Sequence, residues 1–137
     1  MALDDLASSL ALVKVFKADL WDSGDHYSDA IDTAGYRQAV VLMSTGAVKR
    51  NASVTVHIDE SSDAGVSDPW EHIDEAALPV VTQENDTESF IGRINLDRRK
   101  RYIRLHAIID QHDTFMGVCV MAQPYDTGNS TPFNFTC

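Results

Sequence analysis

The most constraining feature of this chain is a strict alternation of apolar and polar residues at positions 53–59. Successive side chains of a β-strand point to opposite faces, so this pattern predicts a strand with one buried face. An acidic, serine-rich stretch follows and predicts a loop before Trp70. The buried face would carry Val54, Val56 and Ile58, and the other face Thr55, His57 and Asp59.

Similar strand-and-turn patterns recur along the chain, with no helix-length pattern between most of them. The segment 101–109 is the clearest, because its apolar residues alternate with Tyr102, Arg104 and His106. About seven short strands at this spacing predict an all-β fold, namely an antiparallel β-sandwich or jelly-roll-like domain. The predicted strands span residues 13–20, 36–43, 54–58, 70–73, 90–96, 101–109 and 115–122.

A chain of 137 residues suits one domain. We predict an N-terminal arm at 1–21, a sandwich domain at 22–124 and a short C-terminal tail at 125–137. The arm combines leucines at helical spacing with a strand that starts near Val13. Such an arm would pack on its own domain or on a neighbouring subunit.

The net charge of −10 is unevenly spread. Residues 1–87 hold sixteen acidic and five basic residues, or −11, and residues 88–137 hold five acidic and six basic residues, or +1. The acidic part would repel nucleic acid and anionic membrane, so we expect neither as a partner. Because the first residues are acidic where a secretion signal would be basic, we expect no export through a signal peptide.

The acidic loop is the first candidate binding site. Its spacing begins like a calcium loop, but Ala64 stands at the position of the required glycine and Trp70 at that of the final glutamate. These two residues exclude an EF-hand. A looser calcium site formed by Asp59, Asp63 and Asp68 stays open, although side chains that hold turns are the favoured interpretation.

Other reactive residues form no recognisable motif. The five histidines lack the close helical spacing of a zinc site, although His57 and His106 would lie close if their strands pair. Cys119 lies in an apolar run and is interpreted as a buried small hydrophobe. Neither a nucleophile elbow nor a phosphate-binding glycine loop occurs. We therefore expect no enzyme activity, no catalytic residue, no cofactor and no metal.

Two segments are predicted to contact a partner or a second subunit. One is the apolar side of the arm, and the other is the basic turn at 98–101, for which ion pairs with nearby carboxylates are favoured over phosphate. The predicted contact residues are Leu3, Leu6, Leu10, Val13, Phe16, Arg98, Arg99, Lys100 and Arg101.

The order of several phrases resembles small β-sandwich virion proteins of tailed bacteriophages, of the capsid decoration or cement type. The phrases lie at 31–36, 44–47, 54–63, 70–73, 91–92 and 101–105. This resemblance implies a structural protein of the virion that is made in the host cytoplasm and stabilises the capsid exterior. It also implies the major capsid protein as partner and a homo-oligomer, with a trimer favoured.

Two alternatives remain open. One is a head–tail completion protein or a tail component, which would need the same kind of small, self-associating β-domain. The other is a carbohydrate-binding module, because the phrase at 101–105 also occurs in jelly-roll modules of that kind. A sugar platform would use exposed aromatic residues, for which the candidates are Trp21, Tyr27, Trp70 and Tyr125.

Overall fold

The structure, a computed structural model, describes residues 11–124, with side chains from residue 16 onward. This part of the chain contains nine strands and one short 3₁₀ turn, Leu96–Arg98. The strands are β1 (Ala11–Trp21), β2 (Gly24–Tyr27), β3 (Ile31–Asp32), β4 (Tyr36–Thr45), β5 (Ser53–Ser61), β6 (Glu71–Ala77), β7 (Ser89–Asn95), β8 (Tyr102–Asp110) and β9 (Thr114–Pro124). No helix in the described range is long and apolar enough to cross a bilayer.

The strands form two antiparallel sheets that pack face to face. The four-stranded sheet has the order β1-β9-β4-β7. The five-stranded sheet has the order β2-β8-β5-β6, with β3 also paired to β8. The prediction of an all-β antiparallel sandwich is thus confirmed.

The core lies between the two sheets and takes alternate residues from each strand, as a sandwich requires. The predicted buried faces of β5 and β8 both point into it. The other sheet contributes Val41, Met43, Val118 and Val120, all fully or almost fully buried. Two-residue periodicity therefore identified the inward side chains of β5 and β8 correctly.

The N-terminal boundary differs from the prediction. Residues 11–21 form edge strand β1, which pairs with β9, so this part of the predicted arm belongs to the sandwich. Phe16 is buried in the core, where its ring packs edge-on against Trp21 at 5.3 Å between centroids. The rest of the predicted arm and the tail at 125–137 lie outside the described residues.

Cys119 also differs from its interpretation as a core residue. Apolar residues occupy both faces of β9, and the inward positions are Met116, Val118 and Val120. Cys119 is therefore on the outer face of the four-stranded sheet, where it is half-buried and reduced. Partial burial raises the pKa of its thiol, which makes it a poor nucleophile.

The acidic loop is held by its own side chains. The Asp63 carboxylate accepts hydrogen bonds from the hydroxyl and the backbone N–H of Ser67 and from the N–H of Asp68, and these bonds lower its pKa. Gly65 has a φ of 82° and lies against Trp70, where a Cβ atom would be 2.5 Å from the indole nitrogen. The loop carboxylates thus fix turns, as the favoured interpretation of the sequence held.

The core predicts a clear mutational contrast. Leu105→Ala should lower the free energy of unfolding by about 2–5 kcal/mol, because Leu105 is completely buried and its truncation leaves a cavity. Val66→Ala, in the exposed loop, should change it by less than about 0.5 kcal/mol. Urea unfolding followed by circular dichroism measures both, and a Leu105→Ala effect as small as that of Val66→Ala would contradict this packing.

Candidate functional site

The outer face of the five-stranded sheet carries a cluster of polar and aromatic side chains, which we call the histidine face. It forms because the alternation that sends apolar residues inward sends these residues outward. In the β5–β8 register, His57 lies opposite His106 and Asp59 opposite Arg104. The histidine face consists of Tyr27 from β2, His57 and Asp59 from β5, Trp70 directly before β6, His72 from β6, and Arg104 and His106 from β8.

Asp59 is the centre of this face, and only 2% of its side chain is exposed. Arg104 Nε donates to its Oδ2 at 3.0 Å, and the imidazole Nδ1 of His72 is hydrogen-bonded to its Oδ1. A buried carboxylate is tolerated only with such partners, because desolvation without them is very costly. Asp59 therefore fixes two side chains from the strands on either side of β5.

The three histidines lie close together around this carboxylate. The ring of His57 stacks on that of His72 with centroids 4.3 Å apart, and His106 lies 6.0 Å from His57 and 5.7 Å from His72. Burial, and then repulsion from the other two imidazoles when they are charged, lowers the pKa of His57. We expected His57 and His106 to lie close together if their strands pair. The strands do pair, and the two rings are neighbours.

Aromatic rings cover the arginine of the histidine face. The guanidinium of Arg104 lies 4.4 Å from the Tyr27 ring centroid and 4.7 Å from that of Trp70. These distances fit cation–π contacts, which add to the ion pair with Asp59. Tyr27 also stacks on His106 at 4.3 Å, and 52% of its surface remains exposed. Tyr27 is thus the most accessible aromatic ring of the face.

The outer face of the four-stranded sheet is chemically different, and we call it the apolar face. In its central row, Leu42 of β4 lies opposite Ile91 of β7 and Cys119 of β9. Ile91 is 71% exposed and Phe115 is 58% exposed, although both are large and apolar. The apolar face consists of Val40, Leu42, Ile91, Phe115, Cys119 and Met121.

The predicted contact residues fall into separate places. Leu3, Leu6 and Leu10 lie outside the described residues, as does the side chain of Val13, and Phe16 is in the core. The basic turn is largely occupied by ion pairs within the chain, as favoured from the sequence. Arg99 pairs with Glu60 at 3.7 Å, Lys100 with Asp68 at 2.9 Å and Arg101 with Asp32 at 2.8 Å, whereas Arg98 is exposed at the end of the 3₁₀ turn.

Sequence reasoning missed two parts of these faces. His72 joins the histidine face through the pairing of β6 with β5, which contains a register shift between His57 and Asp59 and so is not predicted by simple alternation. The apolar face was missed because β4 and β9 are apolar on both sides, and periodicity alone does not tell inward from outward there. The available signal for an exposed apolar face was the continuous apolar run in these strands, because one face of each strand in a two-layer fold is turned outward.

Comparison with known proteins assigns no family. No protein-family model matches the chain, and no curated protein matches it either. Solved structures resemble it at low identity, and three of them illustrate the likeness. The SPBc2 prophage-derived protein YomS is 8% identical with a TM-score of 0.43, and the match covers 78% of this chain and 91% of that chain. Chitosan-binding module 1 of a chitosanase/glucanase from Paenibacillus sp. IK-5 is 15% identical with a TM-score of 0.40, and the match covers 78% of this chain and 75% of that chain. The carbohydrate-binding module CBM6cm-2 from Cellvibrio mixtus lichenase 5A, in complex with cellotriose, is 7% identical with a TM-score of 0.38, and the match covers 84% of this chain and 98% of that chain.

The buried ion pair of the histidine face predicts a second mutational contrast. Arg104→Leu should lower the free energy of unfolding by about 1–3 kcal/mol, because the buried Asp59 carboxylate loses a charged partner. Arg101→Leu breaks an ion pair whose two side chains are largely exposed, so its effect should be clearly smaller. Denaturant unfolding of both variants at neutral pH checks this order, and equal losses would show that the Asp59 pair is not the stronger constraint.

Proposed function

We propose that this protein is a structural component of a phage particle that binds the capsid exterior and stabilises the shell. The observation that carries the proposal is the apolar face, which exposes the large hydrophobic side chains of Ile91 and Phe115 on the outside of a sheet. Contiguous patches of exposed apolar side chains commonly mark protein-binding surfaces, whereas single exposed apolar residues do not. The phage assignment itself rests on the resemblance in the order of sequence phrases.

The occupant of the apolar face is proposed to be a subunit of the shell. The major capsid protein is the partner that the resemblance implies, and a trimer of this chain is the favoured oligomer. In such an arrangement each contact can be weak, because a trimer that touches several capsid subunits gains effective concentration for the remaining contacts. The net charge of −10 would help keep decorated particles dispersed.

A protein of the head–tail junction or of the tail would use the same contact surface. The binding experiment must therefore show where on the particle the protein binds. Binding to empty capsids that lack tails supports the shell position. Binding only to tailed particles contradicts it.

A second candidate, a carbohydrate-binding module, is favoured by the exposed Tyr27 ring beside Arg104 and Asp59. Aromatic rings with nearby hydrogen-bonding groups are suitable surfaces for sugars. Against this candidate, the side chain of Arg104 already lies against Tyr27 and Trp70, and its Nε is bonded to Asp59. A glycan array on the intact protein separates the two candidates, since a decoration role requires no sugar binding.

The shell proposal predicts a specific loss of binding. Ile91→Asp should reduce co-sedimentation with capsids, assembled from the major capsid protein of the proposed phage, by at least about tenfold. An unpaired carboxylate in an apolar contact costs enough free energy for such a change. Ile91 is exposed in the isolated chain, so the substitution should leave folding intact.

Val66→Asp is the matched control, because Val66 is 86% exposed and lies in the loop on the other sheet. It introduces the same charge and should bind capsids like wild type. Equal binding of Ile91→Asp and wild type, with circular dichroism showing both folded, would contradict the role of the apolar face. Absence of wild-type protein from the capsid fraction would contradict the proposed function as a whole.

A further inference from the structure

We propose that the histidine face binds a transition-metal ion of the Zn²⁺ class through Asp59, His72 and His106. One ligand atom of each residue lies within 4.8 Å of the others, and the three come from adjacent strands β5, β6 and β8. Two imidazoles and one carboxylate form a donor set that suits Zn²⁺, Co²⁺, Ni²⁺ or Cu²⁺. This inference is independent of capsid binding.

The geometry requires only a small adjustment to hold an ion. Tetrahedral Zn²⁺ with bonds of about 2.0–2.1 Å places its ligand atoms roughly 3.3 Å apart. Asp59 Oδ1 and His72 Nδ1 are already in direct hydrogen-bond contact, so an ion between them takes the place of the proton of that hydrogen bond. His106 is the third donor, and its atom must approach by at most about 1.5 Å on this estimate.

Neighbouring side chains hold each ligand in the way that metal sites commonly show. Arg104 binds Oδ2 of Asp59, which leaves Oδ1 available and fixes the carboxylate. Asp25 lies 3.0 Å from Nε2 of His106. With Nδ1 as the ligand atom, this contact would be the carboxylate–histidine pair that orients metal-bound imidazoles. The ring of His57 stacks on His72 but is not part of the converging set, so it positions His72 without being a ligand.

The site is also accessible. The side chain of His72 is 47% exposed, whereas that of Asp59 is almost completely buried. An ion can therefore reach the carboxylate from solvent past His72 without opening the sandwich. A surface histidine pair alone would lack the buried anionic ligand that distinguishes this site.

The test uses the full chain with Zn²⁺ alone, measured by calorimetric titration, and with Co²⁺, measured by its visible absorption. Wild type should bind one ion per chain. His72→Gln and His106→Gln should each weaken binding by at least about tenfold, the effect that even outer-shell changes produce. Glutamine keeps a hydrogen-bond donor near Asp59 or Asp25, so folding should be preserved.

His112→Gln is the matched control, because His112 is an exposed histidine in the loop between β8 and β9. It should bind like wild type. The site is overturned if wild type binds neither ion, if His112→Gln loses as much affinity, or if either ligand variant binds like wild type. The last result would indicate that the ion binds at other residues of the chain.

A measurement on wild type alone guards against variants that fail to fold. Zn²⁺ should shift the imidazole resonances of His72 and His106 in nuclear magnetic resonance spectra and leave those of His112 unchanged. Unchanged resonances of His72 and His106 at saturating Zn²⁺ would overturn the site whatever the variants do. Neither outcome bears on the capsid experiment, which depends on the opposite face of the molecule.

Discussion

The antiparallel pairing of β5 with β8 is the constraint on which the rest of the five-stranded sheet depends. Its register places Val56 beside Ala107 on the core side and, at the next residue pair, His57 beside His106 on the outer side. Because side chains alternate strictly, a slip of one residue would bury the histidines and expose the apolar residues. The hydrophobic core therefore fixes not only the fold but also the composition of the outer face.

The two sheets use the same alternation with opposite results. On the five-stranded sheet the outward residues are charged, imidazole and aromatic, and they are held by hydrogen bonds around Asp59. On the four-stranded sheet the outward residues include a row of apolar side chains, such as Leu42 and Ile91, and among the described residues no buried ion pair like that of Asp59 organises them. One rigid body thus presents a surface suited to packing against protein and another suited to a small ligand. The two proposals are assigned to these opposite faces.

Much of the fold could be predicted because period-two patterns report local geometry. The faces of β5 and β8 were predicted residue by residue, whereas the turn-holding role was predicted for the Asp and Ser side chains of the acidic loop only in general terms. Where both faces of a strand are apolar, periodicity does not distinguish the inward face from the outward face. Cys119 was assigned to the core for this reason. The position of His72 depends on an irregular pairing between distant segments, and no local pattern contains that information. The edge strand at residues 11–21 was partly predicted, but its membership in the sheet also depends on a distant partner, β9.

A cryo-electron microscopy map of the proposed phage particle would test capsid binding through the apolar face most directly. We expect sandwich-shaped density on the outside of the shell, with the sheet that bears Ile91 and Leu42 turned toward a capsid subunit. Density confined to the tail, or a shell-bound sandwich with that sheet open to solvent, would contradict it.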